Sequence, residues 1–251
     1  MVIKELTLKL SASYHLYHLI WKGLDLFFPP VCGGCEKMGE RWCNSCQQRL
    51  TILPELVCDI CGEPRQTSGM CGRCRASRPP YKALRSWAVF KDPIRPALHK
   101  LKYKQDIGLG DSFALPLANY ISTLNWDIEI LIPVPLSSKR SLERGYNQVD
   151  LIARPLAMIH QWDYMPMALK RTKHTRSQVG LTATQRLENV QNAFTANHGL
   201  VKNKKVLLID DVATTGSTLS SASRALLDAG AHHVYAFTAA RAMLQHGLDV
   251  V

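Results

Sequence analysis

With 251 residues, of which 46% are hydrophobic and 20% charged, the chain has the composition of a folded globular protein with one sizeable core and room for a small satellite domain, which excludes a disordered or low-complexity polypeptide. No run approaches the roughly 18 apolar residues of a membrane span, and the N-terminus has neither the apolar run nor the small-residue cleavage site of a secretory signal, so the cytoplasm is the expected compartment. Thirty-one Lys and Arg against 20 Asp and Glu give a formal charge of +11, which favours anionic partners such as nucleic acid, acidic lipid surfaces or phosphorylated small molecules.

Residues 1–31 form the first expected unit. Tyr14, Tyr17, Trp21, Leu24 and Phe28 recur at helical spacing and Pro29-Pro30 ends the run, which predicts one amphipathic helix. Such a helix docks on its own protein or serves as a membrane-surface or partner helix. The few basic residues flanking it argue against membrane-surface contact.

Residues 32–78 form the second unit, poor in periodic hydrophobics and holding all eight cysteines. Cys32-x-x-Cys35 and Cys43-x-x-Cys46 make one pair of C-x-x-C units, and Cys58-x-x-Cys61 and Cys71-x-x-Cys74 another. Each unit chelates one edge of a tetrahedral metal, so four of them predict two structural zinc sites rather than redox motifs or disulfides. Sequential pairing (32, 35, 43, 46 and 58, 61, 71, 74) is expected, with interleaved pairing open. Two four-thiolate zinc sites, each carrying about −2, would lower the net charge to about +7. Apart from this duplicated array the chain has no internal repeat, and Arg75 to Pro80 reads as a linker.

From residue 79 onward strands and helices alternate. Ser86–Phe90 reads as a strand. Ile94, Leu98 and Leu101 mark one helix face, and Phe113, Leu117, Tyr120, Ile121 and Leu124 a second. Ile128–Val134 is an apolar strand, Val149–Ile159 a helix, Val206–Ile209 a buried strand, Thr218–Ala229 a helix stopped by Gly230, and Val234–Ala239 a further strand. This order predicts an α/β domain over residues 79–251 with a mostly parallel sheet.

The segment Val206-Leu-Leu-Ile-Asp-Asp-Val-Ala-Thr-Thr-Gly-Ser-Thr218 carries the most chemistry. Its acids fall at the carboxyl end of a buried strand, where open parallel sheets bind ligands. Gly216 lets the backbone approach a phosphate, Thr214, Thr215, Ser217 and Thr218 offer hydroxyl and amide donors with Ala213 beside them, and the next helix presents its positive end. Asp210 and Asp211 would repel the phosphate but accept from ribose hydroxyls, so the ligand expected is one that combines both, such as phosphoribosyl pyrophosphate (PRPP).

Over these 13 positions the segment resembles the type I phosphoribosyltransferases. The resemblance implies that Asp210 and Asp211 hold the ribose 2- and 3-hydroxyls and act in catalysis, and that Thr214 to Thr218 hold the 5-phosphate. Upstream, Leu136-Ser-Ser-Lys-Arg140 follows a central strand where cations and amides could grip pyrophosphate, the place of the pyrophosphate loop in that family. Arg144, Asn147 and Gln148 follow it. The connector containing Arg171 and Gln178 mixes cations and hydroxyls and reads either as a lid or as a plain surface loop.

Taken together, the double zinc ribbon, Pro133-Val-Pro-Leu136, Arg144-Gly-Tyr-Asn-Gln148, Arg171 to Gln178 and Asp210-Asp211 resemble the ComF family over nearly the whole chain. That resemblance implies a competence factor handling single-stranded DNA during natural transformation, alongside other DNA-uptake proteins. Nine Lys or Arg between residues 75 and 104, interleaved with Tyr81, Trp87, Phe90 and Tyr103, fit single-strand binding or, equally, a solvated helix face over core aromatics. Thr214 stands where the 6-oxopurine enzymes of the wider family carry an acid, which counts against hypoxanthine or guanine as acceptor. Two functions follow: a PRPP-binding, DNA-handling protein, or an active phosphoribosyltransferase of nucleotide or amine metabolism with Mg²⁺ on the pyrophosphate.

Overall fold

A computed structural model describes residues 10–172 and 193–243. Five strands form the sheet: β1 (Leu84–Val89), β2 (Ile130–Pro133), β3 (Asp163–Tyr164), β6 (Lys205–Ala213) and β7 (His233–Arg241). Their spatial order is β1-β7-β6-β2-β3 and every neighbouring pair is parallel. A separate antiparallel pair joins β4 (Leu169–Arg171) to β5 (Phe194–Ala196).

Both faces of the sheet are covered, which is why the central strands read as unbroken apolar runs rather than alternating ones. On one face Leu131, Leu207, Ile209 and Phe237 pack against α4 (Ile94–Tyr103), α5 (Leu109–Ser122) and α7 (Gln148–His160). On the other, Ile130, Ile132, Leu208 and Ala236 meet α9 (Ser217–Asp228), the short α8 (His198–Val201) and the β4–β5 pair. Gly110 sits where any side chain would collide with the Leu151 backbone, so α5 and α7 approach closely.

Helix α1 (Ala12–Phe27) is capped by Ser11, whose side chain accepts from Tyr14 N. Its expected docking face is only half used: Tyr14 is buried and Tyr17 and Trp21 half-buried, whereas Leu24 and Phe28 are exposed. Among the described residues no helix is long and apolar enough to cross a membrane.

The cysteine segment contains two short helices, α2 (Asn44–Gln48) and α3 (Gly72–Ala76). Arg75 and Ala76 thus belong to a helix rather than to the expected linker. Its two halves repeat the same turn. Val31 bridges Met38 as Val57 bridges Pro64; Cys32 N donates to Lys37 O as Cys58 N donates to Glu63 O. The left-handed turn residue is Glu36 in the first half and Gly62 in the second. Between the halves, Ile52 makes an antiparallel bridge to Ala88 and Val89 N donates to Thr51 O, so this segment covers the outer edge of β1.

Candidate ligand crevice and paired thiol sites

The crevice lies between β6 and β2, where the sheet changes winding direction: β2 crosses through α7 to β3 on one side, and β6 through α9 to β7 on the other. Ligands of open α/β sheets bind at the carboxyl ends of strands at such a point. β2 leaves the sheet at Pro133, paired with Ile209. β6 continues to Ala213, held on its other side by β7. The sequence places the acids after a strand ending at Ile209; they instead stand inside an extended strand, because pairing with Thr238 to Arg241 continues past them.

Being consecutive in a strand, the two carboxylates point to opposite faces. Asp211, buried, faces the helices: Lys102 Nζ lies 2.7 Å from its Oδ2 and Gln148 Nε2 donates to the same oxygen at 3.0 Å. Arg144 Nη1 then donates to Gln148 Oε1 at 2.6 Å, and Arg144 Nη2 to the Tyr103 hydroxyl at 3.1 Å. Asp210, half-buried, receives the Asp211 N–H at 2.8 Å. Burial, and after it the adjacent Asp211 charge, push the Asp210 carboxyl well above the usual carboxylate range, with the Asp211 N–H and Lys102 pulling the other way. Arg171, on β4, is within electrostatic reach of Asp210 and Arg140; burial, then Arg140, lower its pKa while Asp210 raises it.

Each residue of Arg144-Gly-Tyr-Asn-Gln148 has a mechanical role around this point. Arg144 ends α6 (Ser138–Arg144), and Gly145 takes the left-handed cap with φ 74°, a geometry that favours glycine. The Tyr146 hydroxyl donates to Leu101 O at 2.6 Å, tying the turn to α4. Asn147 caps α7, accepting from Val149 N, and its Nδ2 donates to Val134 O at the end of β2. Gln148 delivers the bond to Asp211. Arg144, Asn147 and Gln148, expected to follow the Leu136–Arg140 loop, stand on the turn that joins α6 to α7.

Lys102 was missed as a site residue. Its lysine-rich neighbourhood pointed to a DNA patch, and the only available signal was its place on the last turn of a helix that packs on the sheet. The aromatics of that stretch follow the second of its two readings, a solvated face over core aromatics. Lys100 Nζ is held by Glu36 at 3.1 Å and by Cys32 O, Tyr81 and Trp87 are core residues, and Phe90 packs against the core. Of the four aromatics Tyr103 alone is exposed.

The expected pyrophosphate loop is mostly helix. Leu136 and Ser137 are half-buried in the turn after β2, and Ser137 caps α6 by accepting from Arg140 N. Ser138, Lys139 and Arg140 are exposed on its first turn, since nothing before Gly145 breaks a helix. On the far side of the crevice Ala213 is buried, Thr214 and Thr215 are exposed, and Gly216 has φ 78°. Thr215 Oγ1 and Ser217 Oγ lie 2.6 Å apart at the start of α9, with Thr218 half-buried behind them. A side chain at Gly216 would stand 3.2 Å from the Tyr81 hydroxyl. Gln178 lies outside the described residues.

The thiols group sequentially. Sγ atoms of Cys32, Cys35, Cys43 and Cys46 lie within 4.8 Å of one another, and so do those of Cys58, Cys61, Cys71 and Cys74. Cys32 and Cys46 are 3.6 Å apart, Cys35 and Cys43 3.6 Å, and Cys61 and Cys71 3.7 Å. A tetrahedron with Zn–S bonds of about 2.3 Å has edges of about 3.8 Å, so the residues fit zinc. Backbone N–H groups of Cys43 and Cys71 point at the sulfurs of Cys32 and Cys58, an arrangement that favours thiolates.

Comparison with known proteins agrees with this division. Residues 23–75 match the double zinc ribbon domain and residues 144–246 the phosphoribosyl transferase domain. The DNA utilization protein YhgH of Shigella flexneri is 34% identical over 231 residues, covering 87% of this chain and all of the relative. Competence protein F of Haemophilus influenzae is 31% identical over 80% of this chain and 90% of its own. Competence protein ComFC of Bacillus subtilis is 28% identical over 95% and 96%. With paired thiol sites, a parallel sheet and relatives matched over nine-tenths or more of their length, the chain belongs to the ComF family.

Proposed function

We propose that the crevice binds PRPP and that the protein serves DNA uptake or utilisation, handling single-stranded DNA. The observation carrying the ligand is the juxtaposition of Asp210 and Asp211 with the open Thr214–Thr218 loop at the winding switch. Asp210 and Asp211 would take the ribose hydroxyls, the loop and the start of α9 the 5-phosphate, and Lys102, Arg140 and Arg171 would offset the remaining charge. The residues from Leu136 to Arg140 flank the side where pyrophosphate would lie. Mg²⁺ bound with the ligand would neutralise pyrophosphate charge. The names of the relatives, competence and DNA utilisation, support the cellular role.

Calorimetric titration of zinc-loaded protein with PRPP, with and without Mg²⁺, tests the ligand. Saturable, Mg²⁺-enhanced binding that is lost in Asp211→Asn is expected; no binding at millimolar PRPP would sink the reading. Pyrophosphate release with a panel of nucleobase and amine acceptors then separates binding from transfer. Single-strand affinity should fall steeply with salt and weaken in Lys91→Gln, Arg95→Gln, Lys104→Gln, whose side chains are exposed. Salt-independent or absent binding would remove DNA from the proposal.

A further inference from the structure

Helix α1 is turned inside out. The side facing the protein carries its polar groups: His18 Nδ1 is 2.7 Å from the buried Asp111, and Asp25 pairs with Arg41, which also holds Asp106 at 2.9 Å and lies over the Trp21 ring. Tyr14 enters the core beside them, and Ser11 Oγ donates to Met158 O at 2.6 Å. The opposite side is apolar and open. Leu16, Leu19, Ile20, Leu24 and Phe27, with Phe28 at the cap, are between 42% and 78% exposed. Rolling the helix to bury this side would break the His18–Asp111 contact and the Asp25–Arg41 ion pair, so the docking contacts hold it outward.

We infer that this face is a self-association surface, covered by α1 of a second copy of the chain across a two-fold axis. Three observations favour that occupant. Six large apolar side chains along one helix and its cap, each 42–78% exposed, make a patch on the order of the largest usual for a monomer, about 300–600 Å², or above it, a size comparable with the roughly 800 Å² per partner of a stable interface. Gly23 lies in the middle of the stripe with nothing within 4 Å of where its Cβ would be. A mid-helix glycine costs about 1 kcal/mol against alanine and meets nothing among the described residues, but it admits a second helix at close range. The face is also nearly free of charge: Lys22 is the only Lys or Arg of α1, and Asp25 is neutralised by Arg41. A membrane-surface helix needs a basic rim, whereas a self-complementary apolar stripe needs none.

Sedimentation equilibrium of the full, zinc-loaded chain from about 1 to 100 μM is the test, a range that brackets a weak-to-moderate homodimer. The wild type is expected to be a reversible dimer. Leu19→Glu with Phe27→Glu should raise the dissociation constant at least about 30-fold, the size of a central interface contact, with zinc content and far-UV circular dichroism unchanged. Gly23→Leu should weaken association about 10-fold or more, although it favours the helix. A wild type that stays monomeric throughout overturns the inference, as does a dimer indifferent to both variants. A monomer that sediments with phosphatidylserine vesicles, and ceases to do so in Leu19→Glu, Phe27→Glu, would assign the face to lipid and equally overturn it.

Discussion

The two thiol sites share one local turn and grip the sheet from opposite faces. The first site sits against helices: Gly33 packs on Ala97 and Leu109, Gly34 on Pro93, and Lys100 reaches Cys32 O and Glu36. The second is keyed into the sheet itself. Leu84 N donates to Ile60 O at 2.6 Å, Gly62 lies flat against the Leu84 carbonyl, and the buried Arg241 donates to Cys61 O at 2.7 Å. Tyr81, at its foot, is buried and its hydroxyl walls Gly216. The same metal-binding unit therefore braces a helix pair in one place and, in the other, stands two side chains from the proposed phosphate loop.

Removing one tetrad at a time should break this comparison open with the largest effect, because structural zinc in such units contributes on the order of 10 kcal/mol to local folding. Cys58→Ser with Cys61→Ser is expected to halve the zinc content and abolish PRPP binding in calorimetry. Cys32→Ser with Cys35→Ser should halve the zinc but leave PRPP affinity within about 10-fold, its damage falling on thermal stability. Equal loss of ligand binding in both would erase the distinction.

Asp210 gives the next effect. A carboxyl whose folded-state pKa is raised contributes its full stability at acid pH and loses it as the pH climbs from the ordinary carboxylate value towards the raised one. The free protein should accordingly weaken from about pH 4 upward through neutrality. Asp210→Asn should flatten that slope and raise the melting temperature at pH 8 by about 2–4 °C, equivalent to about 1 kcal/mol for a chain of this size, while PRPP binding is lost. A melting temperature that falls would show the acid to be paired rather than strained by its neighbour.

Gly216→Ala should cost about 1 kcal/mol from its left-handed backbone and the nearby Tyr81 hydroxyl, and Tyr81→Phe in the same chain should restore a part of it, read by denaturant melts. The smallest change is expected at the first site. Lys100→Met removes one half-exposed ion pair to Glu36, worth at most about 1 kcal/mol, and should leave PRPP binding untouched.

Much of the architecture was legible because parallel strands buried on both faces are plain apolar runs, and because thiol spacing is dictated by a metal. Asp210, Asp211 and Gly216 stood out because two acids and a glycine follow one buried apolar run, and the fold sets them at the end of β6 and the start of α9. Lys102 did not, since its meaning depends on α4 lying across the end of β6, a long-range contact with no local signature. The Arg144 to Gln148 turn stood out in the sequence but its roles did not, because all four of its side chains reach partners distant in sequence. Tyr81 and Trp87 looked like stacking platforms only until the core closed over them. In α1, periodicity found the helix and could not tell which of two apolar sides would be covered, as the choice was made by His18 and Asp25.

The bridge from Ile52 to Ala88 carries a consequence of its own. β1 is an edge strand, and its outer backbone is covered by a segment that runs from one thiol site to the other and packs Leu50 and Ile52 against the core. A bared strand of this kind is a template for pairing with other chains. Metal starvation should therefore do more than silence a binding site: it should turn a well-behaved monomeric or dimeric species into one that clumps through β1, so that zinc supply governs how much of the protein stays in solution.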